Sequence, residues 1–131
     1  MLIDDDEDVR AVSRNLQRAR GKWGRISKIL SREGTDSKTM ASFYKAIVQS
    51  VLLYGAESWA ITKSVEKKLR SFHRRCARYI TRRHIRQNED ESWTCPASDS
   101  VLEEAGLWTV QEYIRRRRET VMNYANKTTI Y

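Results

Sequence analysis

Lys67, Arg70, Arg74, Arg75, Arg78 and Arg82 follow one another at steps of one, three and four residues, inside a stretch (63–86) that holds ten Lys/Arg and one Glu. Residues 9–32 hold eight more, Arg14, Arg18 and Arg25 among them, and no acid; Arg115 to Arg118 add four in a row. Cationic groups at such density do one kind of chemistry well. They neutralise phosphates, which needs only positive charge at suitable spacing and gives affinity without sequence preference. Left without a polyanion, the same charges repel one another. The net charge of +8 hides this sorting, because the rest of the chain sums to −13. Surfaces of opposite sign are expected, not a uniformly basic coat.

Other residue types invite sharper chemistry and fit it less well. Asp4-Asp5-Asp6-Glu7-Asp8 is an acidic run before a helix, where carboxylates favour the helix dipole; it lacks the alternation and the Gly of a calcium loop. His73-x-x-Cys76, with His84 and Cys95, has the residue types of a zinc site. On a continuous helix, however, His73 and His84 lie about 16 Å apart along the axis, so no metal site is assigned. Cys76 reads as core and Cys95 as a loop thiol. Trp23 and Trp59 belong to apolar stripes, whereas Trp93 and Trp108 lie beside loops and are open to base stacking. A Gly-rich phosphate loop and a Ser-His-Asp set are both absent from the sequence, so no catalytic residue, cofactor or small-molecule substrate is expected.

The elements that position these groups follow from hydrophobic spacing. Val9, Val12, Leu16, Ala19, Trp23, Ile26 and Leu30 step by three and four, which predicts an amphipathic helix over 9–32. At about 100° per residue, Arg10, Arg14, Arg18, Arg25, Lys28 and Arg32 fall within an arc of roughly 80° opposite Trp23. Gly21 and Gly24 weaken this helix near Trp23 and favour a bend there. Gly34 ends it, and Asp36 or Ser37 caps the next.

The second helix is expected to run to about Trp59, with apolar residues from Met40 to Tyr54 around most of its circumference, as the central and most buried element. Thr62 caps a third helix whose stripe is Val65, Leu69, Phe72, Cys76, Tyr79 and Ile80. Residues 87–98 read as a loop. Ser100-Val-Leu-Glu103 and Thr109-Val-Gln-Glu112 fit the capping-box pattern, giving a short helix to Ala105 and a last one from Val110 to about Tyr124. The fold class expected is all-α: one module over 1–131, a small bundle of four to five helices. Its divisions are an acidic segment (1–8), the main helices (9–86), the loop (87–98) and C-terminal helices with a tail (99–131).

Two cysteines make no disulfide scaffold, and MLIDDDED opposes a signal peptide, so an intracellular protein of the nucleus or cytoplasm is expected. The longest continuous apolar run, Val51 to Tyr54, is too short to cross a bilayer, and no membrane partner is expected.

Tyr44-Lys45-Ala46, then Val51-Leu-Leu-Tyr-Gly-Ala-Glu-Ser-Trp59, then Leu69-Arg-Ser-Phe-His-Arg-Arg-Cys-Ala-Arg78 resembles the C-terminal thumb and post-thumb region of reverse transcriptases from non-LTR (LINE-type) retrotransposons. The likeness extends to Ala19-Arg20, Trp23 and Lys28-Ile29-Leu30, and more loosely to Trp93, Gly106 and the arginines at 115–118. It implies a module that grips the backbone of a template–primer duplex, RNA and/or DNA, with a polymerase core as protein partner. The family's Tyr-x-Asp-Asp motif, whose carboxylates hold the catalytic metal ions, occurs nowhere in the chain. The resemblance thus implies a fragment that is not an enzyme by itself, with Leu2-Ile3 as the end of a strand that continues upstream in intact relatives. Residues 119–131 depart from the Trp-Leu-Gly-His segment that often follows in relatives. The alternative readings are a stand-alone helical DNA-binding or protein-interaction module and a non-functional retroelement remnant.

Overall fold

The computed structural model describes residues 2–83, 86–94 and 98–128, and over these the chain is a bundle of five helical bodies. The first, α1 (Leu2–Arg32), runs unbroken across Gly21 and Gly24. It begins seven residues before the expected start, so Leu2-Ile3 is helical and not strand. Acidic residue types at 4–8 are ones that a helix start favours. Asp8 also ties that end down: its Oδ2 accepts the Ala60 backbone N–H at 2.7 Å.

Gly34, at φ 66°, closes α1 with two bonds, Thr35 N–H to Leu30 C=O at 3.0 Å and Gly34 N–H to Ser31 C=O at 3.2 Å. This is the Schellman arrangement, which needs a left-handed residue at its turn. Asp36 then caps the next body, accepting the Thr39 N–H at 2.8 Å, and the Thr39 side chain together with that N–H holds its carboxyl below the usual range.

The second body is a composite of α2 (Ser37–Phe43), a π-helical segment (Tyr44–Gln49) and α3 (Ser50–Leu52). It ends seven residues before the expected Trp59. The chain turns at Gly55 and makes a short 3-10 turn over Ala56–Ser58. Asn15 of α1, itself buried, donates its side-chain amide to Leu52 C=O (3.2 Å) and Tyr54 C=O (3.0 Å), satisfying carbonyls left open where this body stops. Burial along the composite is one-sided: Tyr44, Val48 and Leu52 are enclosed, while Phe43 is exposed.

The centre belongs instead to α4 (Lys63–Thr81), which packs against α1, α2, α5 (Ser98–Ala105) and α6 (Val110–Thr128). Thr62 caps it as expected, accepting the Val65 N–H at 3.2 Å. Its buried face is Val65, Leu69, Phe72, His73, Cys76, Ala77 and Ile80. The expected 87–98 loop contains a minimal antiparallel hairpin, β1 (Arg86–Gln87) and β2 (Trp93–Thr94). Thr109 caps α6 through the Glu112 N–H at 3.2 Å, whereas α5 begins at Ser98 and so carries Ser100 inside the helix. No described helix is long and apolar enough to cross a membrane.

An aromatic and imidazole chain joins these bodies. Trp23 of α1 sits edge-on to Tyr44 and to Tyr79, each with ring centroids 5.6 Å apart. The Tyr44 hydroxyl lies 2.6 Å from His73 Nδ1, and His73 Nε2 lies 2.7 Å from the Trp108 carbonyl. A carbonyl only accepts, so Nε2 carries the hydrogen and Nδ1 accepts from Tyr44. Both nitrogens of His73 are thereby used. Burial pushes its pKa down from 6.5 to about 4, assisted by the Arg74 charge and opposed by the Trp108 carbonyl.

A pH dependence follows. An unfolded chain protonates this histidine near pH 6.5, while the folded one resists until about pH 4. Between those values the unfolded state binds more protons, so the stabilisation is complete above pH 6.5 and is lost as pH falls towards 4. About 3 kcal/mol is involved. Urea unfolding at pH 7 and pH 4.5 measures it, and a His73→Phe variant should lose most of the difference between the two.

Candidate nucleic-acid interface

Most of the basic residues singled out above sit on α1 and α4, and these two helices pack against each other. Leu16 of α1 and Phe72 of α4 meet at the floor of a groove of about 490 Å³ between them. Arg20 enters it from α1; Lys67, Lys68 and Arg75 enter from α4. Ser13, Ser64 and Ser71 supply hydroxyls to the same walls, and no carboxylate lines it. All four cations are exposed, and no described acid forms an ion pair with any of them. An electropositive concavity over an apolar floor concentrates its field on whatever anion enters.

Helical geometry explains which residues reach it. At about 100° per residue, Lys68 and Arg75 lie on one flank of the Leu69 stripe while Arg70 and Arg74 lie on the other, each roughly 100–140° away from it. The expected set is therefore divided. Arg75 faces the groove, and Lys67, on the outer side of α4 about 160° from Leu69, lies at its edge. Arg70 and Arg74 face α5 and α6, beside Leu102, Val110 and Gln111. Arg70 is half-buried and pairs with Glu66 at 3.3 Å, and the Nε of Arg74 is buried with no hydrogen-bond partner. Arg78 is half-buried on the outer side of α4, and Arg82 is exposed at its end.

Arg14, Arg18 and Arg25 are exposed and form, with Lys22, a separate ridge on the outer face of α1. Arg20 and Lys68 were missed by attention to the face opposite each apolar stripe. Their position beside a stripe, on the flank where a partner helix packs, was the signal that could have found them.

The α6 arginines behave differently, because the molecule's own groups take them up. Arg115 pairs with Glu112 and Glu119, both at 2.7 Å. Arg116 reaches Glu112 at 3.1 Å and stacks 3.8 Å from the Trp108 ring centroid. Arg117 pairs with Glu57 at 3.1 Å, and Arg118 donates to the Trp59 carbonyl at 2.7 Å. The last two fasten α6 to the Ala56–Ser58 turn, which makes them structural contacts. Arg115 and Arg116 hold the Glu112 carboxyl down to about 2. On α5, Glu104 likewise takes up Arg83.

Arg82 occupies an unusual backbone position. Arg83 N–H to Arg78 C=O at 2.9 Å and Arg82 N–H to Tyr79 C=O at 3.2 Å repeat the Schellman pattern of Gly34, with Arg82 at φ 60°. A left-handed conformation costs a residue with a Cβ about 1–2 kcal/mol, which Gly avoids. Arg82→Gly should therefore stabilise the fold by about 1 kcal/mol, once the extra chain entropy of Gly is set against that gain. It should also weaken phosphate binding. Thermal melts and a binding titration check the two effects separately.

The remaining candidates separate cleanly. Trp23 and Trp59 are buried, while Trp93 is 67% exposed on β2 and Trp108 is covered in part by Arg116. Cys76 is fully buried, and burial pushes its thiol far above the usual range, so it is no thiolate ligand. With both ring nitrogens of His73 already bonded, the His73-x-x-Cys76 pair offers no ready metal ligand. His84 and Cys95 lie outside the described residues. Among the described residues no group of three or more His, Cys, Asp or Glu is placed to hold a metal. Comparison with protein-family models, with curated proteins and with solved structures finds no match for this chain.

Proposed function

We propose that this protein is a non-catalytic nucleic-acid-binding module that holds the sugar–phosphate backbone of RNA or DNA along the α1–α4 groove. The supporting observation is the convergence there of Arg20, Lys67, Lys68 and Arg75, without a carboxylate, beside Arg78 and Arg82 further along α4. Six cations able to meet phosphates give a backbone-directed affinity that does not depend on base sequence. No exposed aromatic lines the groove, since Phe72 is only 3% exposed. Base stacking therefore contributes little there, and phosphate contacts carry the binding. The likeness of residues 44–78 to the thumb region of LINE-type reverse transcriptases points the same way. In such a setting the module grips the template–primer while a polymerase core elsewhere does the chemistry, in the nucleus or cytoplasm.

The test is a titration of a labelled RNA–DNA duplex with the purified chain over a range of salt. Six displaced counterions give a slope of log K against log salt of about −5. Weak binding with a slope near zero overturns the proposal.

A further inference from the structure

Two cationic surfaces, not one, are present on α1, and they point in different directions. The groove takes Arg20, whereas the outer ridge is built by Arg14, Arg18, Lys22 and Arg25. The two share no lining residue; no carboxylate lines the groove, while Arg14 and Arg18 at one end of the ridge also line a cavity with Glu7 and Asp8. At about 100° per residue, Arg20 lies roughly 120° around the helix from Arg14, 140° from Arg25 and 160° from Arg18. Between residues 13 and 25 the strip between them holds Ser13, Gln17, Gly21 and Gly24, with the cations Arg10 and Lys28 beyond its two ends.

A double helix is stiff over about 150 base pairs and cannot wrap round a single α-helix about 10–12 Å across. A straight duplex seated in the groove therefore leaves the ridge cations, about 120–160° round the helix, facing away from it. Resting on the backbone-binding reading above, we infer that one chain holds two nucleic-acid segments at once and so bridges them. The groove, extended by Arg78 and Arg82, is the tighter surface; the ridge, with four cations, is the weaker and has the shallower salt slope. The second ligand is of the same chemistry as the first: a phosphodiester backbone, bound without base reading.

The activity this confers is juxtaposition of two strands or duplexes, which raises their effective concentration for one another. It requires no covalent step and no cofactor.

The experiment mixes two populations of short duplexes, one carrying a donor dye and one an acceptor, with the full chain at low salt, and reads energy transfer as duplexes are brought together. Sedimentation in the same buffer fixes how many chains are in each particle. The expected result is transfer from particles of one chain and two duplexes. R14E/R18E/R25E should abolish transfer while leaving tight binding of a single duplex within a few-fold. K67E/K68E/R75E should abolish transfer and leave only weak binding of a single duplex. Glutamine at the same positions gives a milder series, and circular dichroism verifies that each variant is helical. Binding by the unaltered chain without transfer overturns the bridging inference alone. Transfer that comes only from particles with two chains, or that survives in R14E/R18E/R25E, does the same. Absence of any salt-sensitive binding overturns the backbone-binding reading together with it.

Discussion

Replacing Lys67, Lys68 and Arg75 together by Glu should lower affinity at the groove by about 500-fold at 0.1 M salt. Each phosphate contact contributes about 0.9 to the salt slope, so removing three changes it by about 2.7. Measured from a 1 M reference where the electrostatic contribution vanishes, that corresponds to about 500-fold at 0.1 M. The slope itself should fall from about −5 to about −3. The three side chains are exposed and make no ion pair among the described residues, so their loss should leave stability nearly unchanged.

Reversal at Arg70 and Arg74 is a poorer probe. Arg70→Glu would set two carboxylates against each other beside Glu66, and Arg74 is packed with a buried Nε. A binding loss in those variants would mix damage to the fold with loss of contact. The contrast is itself diagnostic: K67E/K68E/R75E should lose affinity with little change in melting temperature, and R70E/R74E should lose stability first. Anisotropy titrations beside thermal melts on both variants make the comparison.

The largest stability effect is expected at His73. Truncation to Ala empties a fully enclosed site and strands two partners, the Tyr44 hydroxyl and the Trp108 carbonyl. Lost packing and unpaired buried polar groups together cost about 4 kcal/mol, a large share of the roughly 5–15 kcal/mol that holds a domain folded. Tyr44→Phe keeps the ring between Trp23 and His73 and removes only the donor to Nδ1, so it should cost about 1–3 kcal/mol. Denaturant midpoints rank the two. If His73→Ala were no worse than an exposed substitution such as Lys45→Ala, the buried network would not be the link between α4, the composite second body and the Trp108 turn.

Much of this architecture could be read from local pattern. Thr62, Asp36 and Thr109 have the side chains that satisfy free N–H groups at helix starts, and each does so. The three-and-four spacing from Val12 to Leu30 identified a face that is buried in the fold. Local pattern also held unused information. Glu66 stands four residues before Arg70, and Glu112 and Glu119 bracket Arg115 at three and four, the spacings at which helical ion pairs form. At those spacings the charges of Arg70 and Arg115 are taken up within their own helices.

What could not be read depends on contacts between residues far apart in the chain. Arg117 finds Glu57 and Arg118 finds the Trp59 carbonyl some sixty positions away, which turns a basic run into a fastening for α6. Asn15 reads as a polar residue on an amphipathic helix until the end of α3 is placed against it. The apolar run to Trp59 suggested one long helix, but Gly55 at φ 82° breaks it so that Trp59 can fold back into the core. Arg20 and Lys68 become part of one groove only because α1 and α4 pack side by side.

Backbone binding in the α1–α4 groove requires its lysines to touch phosphates, and chemical protection tests that contact at the residue. Acylation of the chain, alone and saturated with an RNA–DNA duplex at low salt, followed by mass spectrometry, reports how accessible each lysine is. Lys38 and Lys45, exposed on the second helical body and outside the groove, serve as internal references. Lys67 and Lys68 should become strongly protected on binding while Lys38 and Lys45 react as before. Equal reactivity of all four with and without the duplex, at saturation, would contradict backbone binding there.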